Sequence, residues 1–166
     1  MTPVRAQLFE IVLYQPQIAP NTGNIMRLCV NAPARLHLIE PMGFVLDDRR
    51  LRRAGMDYRE YANVQRHRTL AECREFLGDR RWLAFSSRAR TRLSAWSFSA
   101  GDVLMFGSET AGLPPEVMNG VPEAQRLLIP QMDGARSLNL ANAVAVGLYE
   151  AWRQLDFAGA VRRSPA

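Results

Sequence analysis

Three short polar segments carry the side chains best suited to bind a ligand or take part in a reaction. Each adjoins an apolar stretch typical of a buried strand. The segments are Asn21-Thr22-Gly23-Asn24-Ile25-Met26-Arg27, Gly107-Ser108-Glu109-Thr110-Ala111-Gly112-Leu113-Pro114 and Arg136-Ser137-Leu138-Asn139-Leu140-Ala141-Asn142. An open α/β sheet binds its ligand outside the carboxyl ends of the strands, where such loops lie. Three such loops in one small chain predict a ligand-binding site.

The first segment combines a turn, the start of a helix and an arginine. We expect Pro20 and Asn21 to end the preceding extended stretch and Gly23 to permit a tight turn. A helix is expected over Thr22–Asn31, and its first N–H groups favour anions. Arg27 would then project beside that end, about one turn into the helix. The alternative is an ordinary capped helix with a surface arginine.

The second segment is rich in glycine but matches neither the dinucleotide-binding fingerprint nor a Walker sequence. Gly107 directly follows the apolar stretch Val103–Phe106, where it would let a ligand press against the backbone. Glu109 is the only carboxylate of the segment, so it is a candidate to grip a hydroxyl, an amine or a cationic centre. A plain turn with a solvated glutamate is the alternative.

The third segment places several hydrogen-bonding side chains near the start of the last helix. Ser137 and Asn139 each suit an N-cap, and Asn142 follows one turn later. A cap explains either residue singly. All three side chains near one helix end favour a ligand-binding role for the set.

Apolar stretches and helical spacing alternate along the chain, which predicts an α/β fold with a mostly parallel sheet flanked by helices. The predicted strands are Leu8–Tyr14, Leu36–Ile39, Ala62–Arg66, Trp82–Ser86, Val103–Phe106 and Arg126–Ile129. The predicted helices are Thr22–Asn31, Leu70–Leu77 and Leu140–Leu155, with helical turns near Asp48–Ala54 and Pro115–Asn119. We expect a single domain over all 166 residues, with a frayed tail from about Ala158. Small residues on the last helix suit either the core or a subunit interface.

The positive charge of the chain comes from arginine alone. The net charge is +5 and no lysine is present, which excludes a P-loop, a Schiff-base lysine and a pyridoxal enzyme. Thirteen of the 21 arginines lie between Arg49 and Arg92. Such a belt suits phosphate and base contacts in nucleic acid. A solvated surface in an arginine-biased protein is the alternative.

Other residues bound the class of protein. No apolar run approaches the roughly 20 residues of a membrane span, and no signal-peptide pattern is visible. Cys29 and Cys73 are expected to be reduced thiols of a cytoplasmic protein, without the spacing of a zinc site. His37 is expected to be a structural strand residue, and His67 a surface or RNA-facing residue. No clustered metal ligands, and hence no metal, are expected.

The three segments together resemble the motifs of the SPOUT RNA methyltransferases, in the branch that methylates ribose 2′-hydroxyls. The matching patterns are Asn21-x-Gly-Asn-x-x-Arg27, Phe106-Gly-x-Glu-x-x-Gly-Leu-Pro114 and Ile129-Pro-x-x-x-x-x-Arg-Ser-Leu-Asn-Leu-Ala-Asn142. Stretches within 39–44, 48–58 and 149–155 resemble the small stand-alone members that methylate the wobble nucleotide of certain leucine tRNAs. The similarity extends from about Glu10 to Arg162, and departs at Asn31-Ala-Pro-Ala34, where a glycine-containing turn is expected.

The resemblance implies a C-terminal trefoil knot that binds S-adenosylmethionine, and no metal. By matching position, the cofactor would be lined by Phe85, Gly107, Ile129, Ser137 and Leu138. Members of this size are homodimers, so the site would combine residues of both subunits. The implied partner is the anticodon loop of leucine tRNA.

The resemblance assigns the reaction to Arg27, which would act on the ribose 2′-OH together with an RNA phosphate. Because arginine stays protonated in proteins, stabilising developing alkoxide charge is the other role open to Arg27. The resemblance also implies that the nucleotide and cofactor are positioned by Asn21, Glu109, Ser137 and Asn139. The alternatives are a 2′-O-methyltransferase acting on another RNA, such as rRNA, and an RNA-binding homologue without catalysis.

Overall fold

The computed structural model describes residues 6–47, 49, 53 and 63–161. Its strands are β1 Phe9–Tyr14, β2 Ala34–Ile39, β3 Val64–His67, β4 Trp82–Phe85, β5 Thr91–Arg92, β6 Val103–Phe106 and β7 Arg126–Leu128. Its α-helices are α1 Ala19–Asn31, α2 Leu70–Leu77, α3 Pro115–Asn119 and α4 Leu140–Gln154, with 3₁₀ turns at Leu93–Ala95 and Glu123–Gln125. None of these helices is long and apolar enough to cross a membrane.

The seven strands form one sheet in the order β3-β2-β1-β6-β4-β7-β5, and every strand pairing is parallel. From β1 the chain builds outward through β2 and β3, and then crosses to the other side of β1 to place β4 and the edge strand β5. It later adds β6 between β1 and β4, and β7 between β4 and β5. The strand order therefore reverses between β1 and β6, where Leu13 pairs with Phe106. A crevice at such a reversal is where open α/β sheets bind ligands. The first two polar segments follow β1 and β6, so both lie at this reversal.

Side chains from the two faces of the sheet form two hydrophobic clusters. Phe9, Ile11 and Leu13 of β1 share the larger cluster with buried residues of α1 and α4. Val12 points to the opposite face, where it joins Cys73 of α2 in the second cluster. Successive side chains of β1 thus point to opposite faces of the sheet, and both faces are buried, as a parallel sheet flanked by helices requires.

The last helix packs into the core through its small residues. A Cβ atom added at Gly147 would lie 3.1 Å from the ring of Phe85, which stacks on Phe106 with ring centroids 4.4 Å apart. Gly147 therefore lets α4 approach the aromatic pair and belongs to the core, while a subunit interface on this helix stays a prediction. On its outer face, Val146 and Tyr149 are 43% and 41% exposed.

The structure confirms the predicted fold class and most elements. The ends of β1, β2, β4, β7 and α4 differ from the predicted bounds by one or two residues, and the larger differences lie elsewhere. The helix predicted over Thr22–Asn31 begins at Ala19, because proline suits the first turn of a helix and Pro20 starts this one instead of blocking it. The strand predicted over Ala62–Arg66 is Val64–His67, and β5 was not predicted. Except for residues 49 and 53, the turn predicted near Asp48–Ala54 lies outside the described residues. The trefoil knot stays a prediction.

Candidate functional site

A hydrogen-bonded chain of three side chains joins the three polar segments. Glu109 accepts a bond from Asn21 Nδ2, with Nδ2 3.3 Å from Oε1. Asn139 Nδ2 in turn donates to Asn21 Oδ1 at 2.9 Å. Asn139 also caps α4, because its Oδ1 accepts the backbone N–H of Ala141 at 2.9 Å and of Asn142 at 3.4 Å. Residues from three distant parts of the sequence therefore meet in one network.

Glu109 has a structural task that the sequence did not reveal. Its two carboxylate oxygens accept the backbone N–H groups of Gln17 at 2.7 Å and Ile18 at 3.0 Å. Ile18 is the N-cap of α1 and has no side chain able to cap the helix. Glu109 satisfies donors at this helix start and places a negative charge at the positive end of the helix dipole. In this structure both carboxylate oxygens accept bonds from backbone amides, and a grip on a hydroxyl, an amine or a cationic centre stays a prediction.

Arg27 lies on the exposed side of α1, away from the helix start. Because α1 begins at Ala19, Arg27 follows about two turns later instead of one. The expectation that Arg27 lies about one turn into the helix was therefore wrong. Arg27 is also absent from the residues that line the cavity described next.

A cavity of about 820 Å³ opens beside the network. It is formed by the loops after β4, β6 and β7 and by the start of α4. Glu109 is among its lining residues. The five residues matched to the family's cofactor site also line it: Phe85, Gly107, Ile129, Ser137 and Leu138. Residues separated by up to 53 positions in the sequence are thus brought to one concave surface.

The floor of this cavity depends on Gly107. A Cβ atom at this position would lie 2.0 Å from the carbonyl carbon of Gly112 and 2.1 Å from the backbone nitrogen of Leu113. A ligand pressed against this glycine is the sequence-based expectation, whereas the close approach in the structure is to the loop's own backbone. Gly112 adopts a φ of +66°, which closes this tight loop.

Ser137 and Leu138 belong to an exposed stretch that runs from Gln131 to Asn139. Asn139, and not Ser137, caps the following helix. The alternative that Ser137 serves as a helix cap is therefore wrong, and Ser137 lines the cavity without that role. Leu138 remains 39% exposed, which leaves apolar surface for a ligand to cover.

Three arginines of the cavity wall were not predicted as site residues. Arg88 and Arg90 follow β4 and Arg126 begins β7. The first two belong to the arginine belt, but only the parallel topology brings the end of β4 to the cavity. Arg90 lies 3.6 Å from Glu123 in an exposed ion pair, which contributes little to stability.

Part of the arginine belt is paired with acidic side chains. Arg66 lies 2.6 Å from Glu40, and Arg81 lies 2.7 Å from Asp102. These pairs reduce the charge available to a polyanion. Arg88 and Arg92 are exposed.

A buried polar cluster lies under α2, on the face of the sheet opposite α1. His67 is 5% exposed and not a surface residue, because it ends β3 and turns toward His37. His37 also contacts the Glu10 carboxylate at 2.8 Å. Burial raises the pKa of Glu10, but hydrogen bonds from His37 and Arg35 outweigh burial and hold that pKa below its usual value. His37 is a buried strand residue, as predicted. A cluster of residues that can bind a metal was not expected, but His37, His67 and Cys73 form one.

Comparison with known proteins identifies the family. Residues 8–149 match the model of the SpoU rRNA Methylase family. A tRNA (cytidine(34)-2'-O)-methyltransferase of Methylovorus glucosotrophus strain SIP3-4 is 53% identical over 154 residues, which are 93% of this chain and 100% of the relative.

Two solved structures share the fold. A structure described as giving insight into the 2-OH methylation of C/U34 on tRNA has a TM-score of 0.80 and 44% identity, over 89% of this chain and 91% of its own. An AdoMet-bound rRNA methyltransferase from Sinorhizobium meliloti has a TM-score of 0.76 and 27% identity, over 89% of this chain and 56% of its own. The chain therefore belongs to the SpoU methylase family.

Proposed function

We propose that this protein transfers a methyl group from S-adenosylmethionine to the ribose 2′-OH of nucleotide 34, the wobble position, in the anticodon loop of leucine tRNAs in the cytoplasm. One structural observation carries the proposal. All five residues matched to the family's cofactor site line a single cavity, and Glu109 links that cavity to Asn21 and Asn139. The C34 methyltransferase from Methylovorus supports the choice of nucleotide.

The cavity suits the cofactor in size and chemistry. Its volume of about 820 Å³ lies within the range of about 300–1,000 Å³ that small-molecule pockets occupy. Leu138 and Ile129 offer apolar contact, while Ser137 and the backbone of the loops offer hydrogen bonds. S-adenosylmethionine, when bound, supplies an activated methyl group on its sulfonium sulfur.

The chain's residues then have to orient the ribose and manage the proton of its hydroxyl. A ribose 2′-OH is a poor nucleophile, so alignment with the methyl group and stabilisation of the oxygen's developing charge both matter. We assign that charge stabilisation, and a phosphate contact, to Arg27. Asn21, Glu109 and Asn139 hold the surrounding loops, and Ser137 faces the cavity beside the reacting groups.

The position of Arg27 supports a site built from two subunits. Arg27 is exposed on α1 and does not line the cavity of its own chain. A homodimer would let Arg27 of one subunit approach the cavity of its partner. The outer face of α4, with Val146 and Tyr149 exposed, supplies apolar surface for such an interface.

RNA recognition is assigned to the exposed arginines and to the shape of the anticodon loop. Arg88 and Arg90 line the cavity, where they are exposed to a phosphate of a bound strand. A single-stranded loop presents the ribose hydroxyl and unstacked bases, which are the features by which proteins recognise RNA.

The experiment is methyl transfer from labelled S-adenosylmethionine to a leucine tRNA transcript, with the product mapped by nuclease digestion and mass spectrometry. The matched control is the same tRNA with a 2′-deoxyribose at position 34, which lacks only the acceptor oxygen. We expect labelling of the first RNA at position 34 and none of the second. Equal labelling of both tRNAs would place the methyl group at another nucleotide of the tRNA. Labelling of rRNA but not of tRNA, in a parallel reaction, would favour the alternative substrate. Cofactor binding without transfer to any RNA would favour a non-catalytic homologue.

A further inference from the structure

We propose that His37, His67 and Cys73 form a binding site for a soft or borderline transition-metal ion, with Zn²⁺ as the first candidate. One ligand atom from each residue lies within 4.8 Å of the others. The site lies under α2, and none of its three residues lines the cavity assigned to the cofactor. It is thus separate from the proposed methyl-transfer site and does not rest on that function.

The two imidazoles already have nearly the spacing that a metal needs. His37 Nδ1 lies 3.0 Å from His67 Nε2. Two imidazole nitrogens on a tetrahedral zinc ion are about 3.3 Å apart when each Zn–N bond is about 2.05 Å long. A small outward rotation of the rings would admit the ion. The Cys73 sulfur must approach to about 3.6 Å from each nitrogen, which is a closure of up to about 1 Å.

Residues around His37 fix the orientation that metal binding requires. His37 Nε2 lies 2.8 Å from Glu10 Oε2, and a carboxylate can only accept, so Nε2 donates. The lone pair of Nδ1 then points at His67. Arg35 holds the same carboxylate through two bonds of 2.9 and 2.7 Å. A carboxylate that binds the outer nitrogen of a metal-ligating histidine is the usual support of such ligands.

The site is enclosed but close to the surface. His37 and Cys73 are fully buried and His67 is 5% exposed. Phe76 covers them, with its ring centroid 5.4 Å from that of His67 and 5.9 Å from that of His37. Because Phe76 is itself 54% exposed, a rotation of this one side chain gives an ion a path inward.

The ligand atoms select the class of ion. Two imidazoles and one thiolate suit Zn²⁺ or Cu⁺, whereas Mg²⁺ and Ca²⁺ require oxygen ligands. Zinc would complete its tetrahedron with a solvent ligand, and Cu⁺ would accept the three protein donors alone. Binding releases the thiol proton of Cys73 to solvent. The proton that His67 Nε2 donates to His37 moves to His67 Nδ1, so that Nε2 can bind the ion. The ion then joins β2, β3 and α2, which stabilises the folded chain.

The test uses the full chain without a histidine tag, stripped of metal by a chelator. Titration with Co²⁺ as a spectroscopic probe should give a thiolate-to-metal charge-transfer band that saturates at one ion per chain. Zn²⁺ and Cu⁺ are then added separately to the Co²⁺-loaded protein. Loss of the charge-transfer band shows that the added ion displaces Co²⁺, so the two titrations show which of the two ions binds at this site. We expect Cys73→Ala to lose the band, and Glu10→Gln to weaken binding about 10- to 100-fold.

The matched control is Cys29→Ala, which removes a buried thiol from the opposite face of the sheet. This variant should keep the band and the affinity within about twofold. His67→Gln gives a second lesion should Cys73→Ala fail to fold. Absence of a charge-transfer band in the folded wild-type chain, or a band retained in both Cys73→Ala and His67→Gln, would overturn the proposal.

Discussion

Asn139 donates its side-chain N–H to the side-chain oxygen of Asn21 at 2.9 Å, across 118 positions of sequence. The same Asn139 caps α4 with its other amide atom. One side chain therefore couples the start of the last helix to the first turn of α1. Since both amide groups of Asn139 are used, neither aspartate nor serine can replace it fully.

Asn139→Asp should separate these two tasks. The carboxylate keeps the cap of α4 but loses the donor to Asn21, and it adds a negative charge near Glu109. We expect the free energy of unfolding to fall by about 1–3 kcal/mol, measured by urea denaturation. Asn142→Asp, on an exposed position of the same helix turn, is the control and should cost far less. Equal stability of Asn139→Asp and the wild type would show that the bond to Asn21 is not needed.

Glu109→Gln should destabilise the start of α1. The substitution removes the charge and turns one acceptor oxygen into an NH₂ group facing a backbone N–H. Charge-assisted bonds of this kind contribute about 1.5–3 kcal/mol, and we expect a loss of that size in thermal or urea unfolding. Glu116→Gln, an exposed glutamate on α3, serves as the control. A Glu109→Gln variant as stable as the control would point back to a ligand-binding role.

Gly107→Ala should prevent the cavity from forming. The new Cβ would lie 2.0 Å from the Gly112 carbonyl carbon, a distance that only backbone movement can relieve. We expect loss of S-adenosylmethionine binding in calorimetry, together with lower thermal stability. Gly134→Ala, where nothing lies within 4 Å but φ is +70°, controls for backbone strain alone. Retained cofactor affinity in Gly107→Ala would contradict this arrangement of the loop.

Arg27→Ala should remove most turnover while leaving cofactor affinity nearly intact, because Arg27 does not line its own chain's cavity. Arg92→Ala, at another exposed arginine, is the comparison: loss of an RNA contact should raise the tRNA concentration needed but keep turnover at saturating tRNA. If two subunits share a site, mixing Arg27→Ala with the inactive Gly107→Ala chain should recover activity, since each mixed dimer then holds one intact site. No recovery, with mixed dimers verified by mass spectrometry, would place the whole site within one chain.

The buried thiol of Cys29 should cause the free energy of unfolding to fall at alkaline pH. Burial, with a smaller contribution from the charge of Glu10, raises the pKa of Cys29 from 9.0 to about 12. As pH rises, the thiol of the unfolded chain loses its proton before that of the folded chain. The contribution of Cys29 to the free energy of unfolding is therefore complete below about pH 9 and is lost between pH 9 and 12. The loss should approach about 1.4 kcal/mol per pH unit, measured as the difference between wild-type and Cys29→Ala unfolding curves. Parallel curves from pH 8 to 11 would contradict the shift.

Local patterns were sufficient to predict the main elements and the family. Helix α2 was predicted with its observed bounds, since its apolar spacing is a local signal; in the structure Thr69 caps its start. The three polar segments were recognised because their residue types and spacings lie within a few positions. The clustering of arginines was likewise visible in the sequence alone.

Only the tertiary structure revealed what these residues contact. Glu109 binds backbone amides that lie 91 and 92 positions away, and no local pattern indicates such partners. His67 appeared to face solvent because arginines flank it, but strand alternation turns it toward His37. Short-range spacing determines helices, strands and caps, because those depend on neighbouring residues. Which groups meet across the sheet depends on strand order and register, and these are decided by the packing of the whole chain.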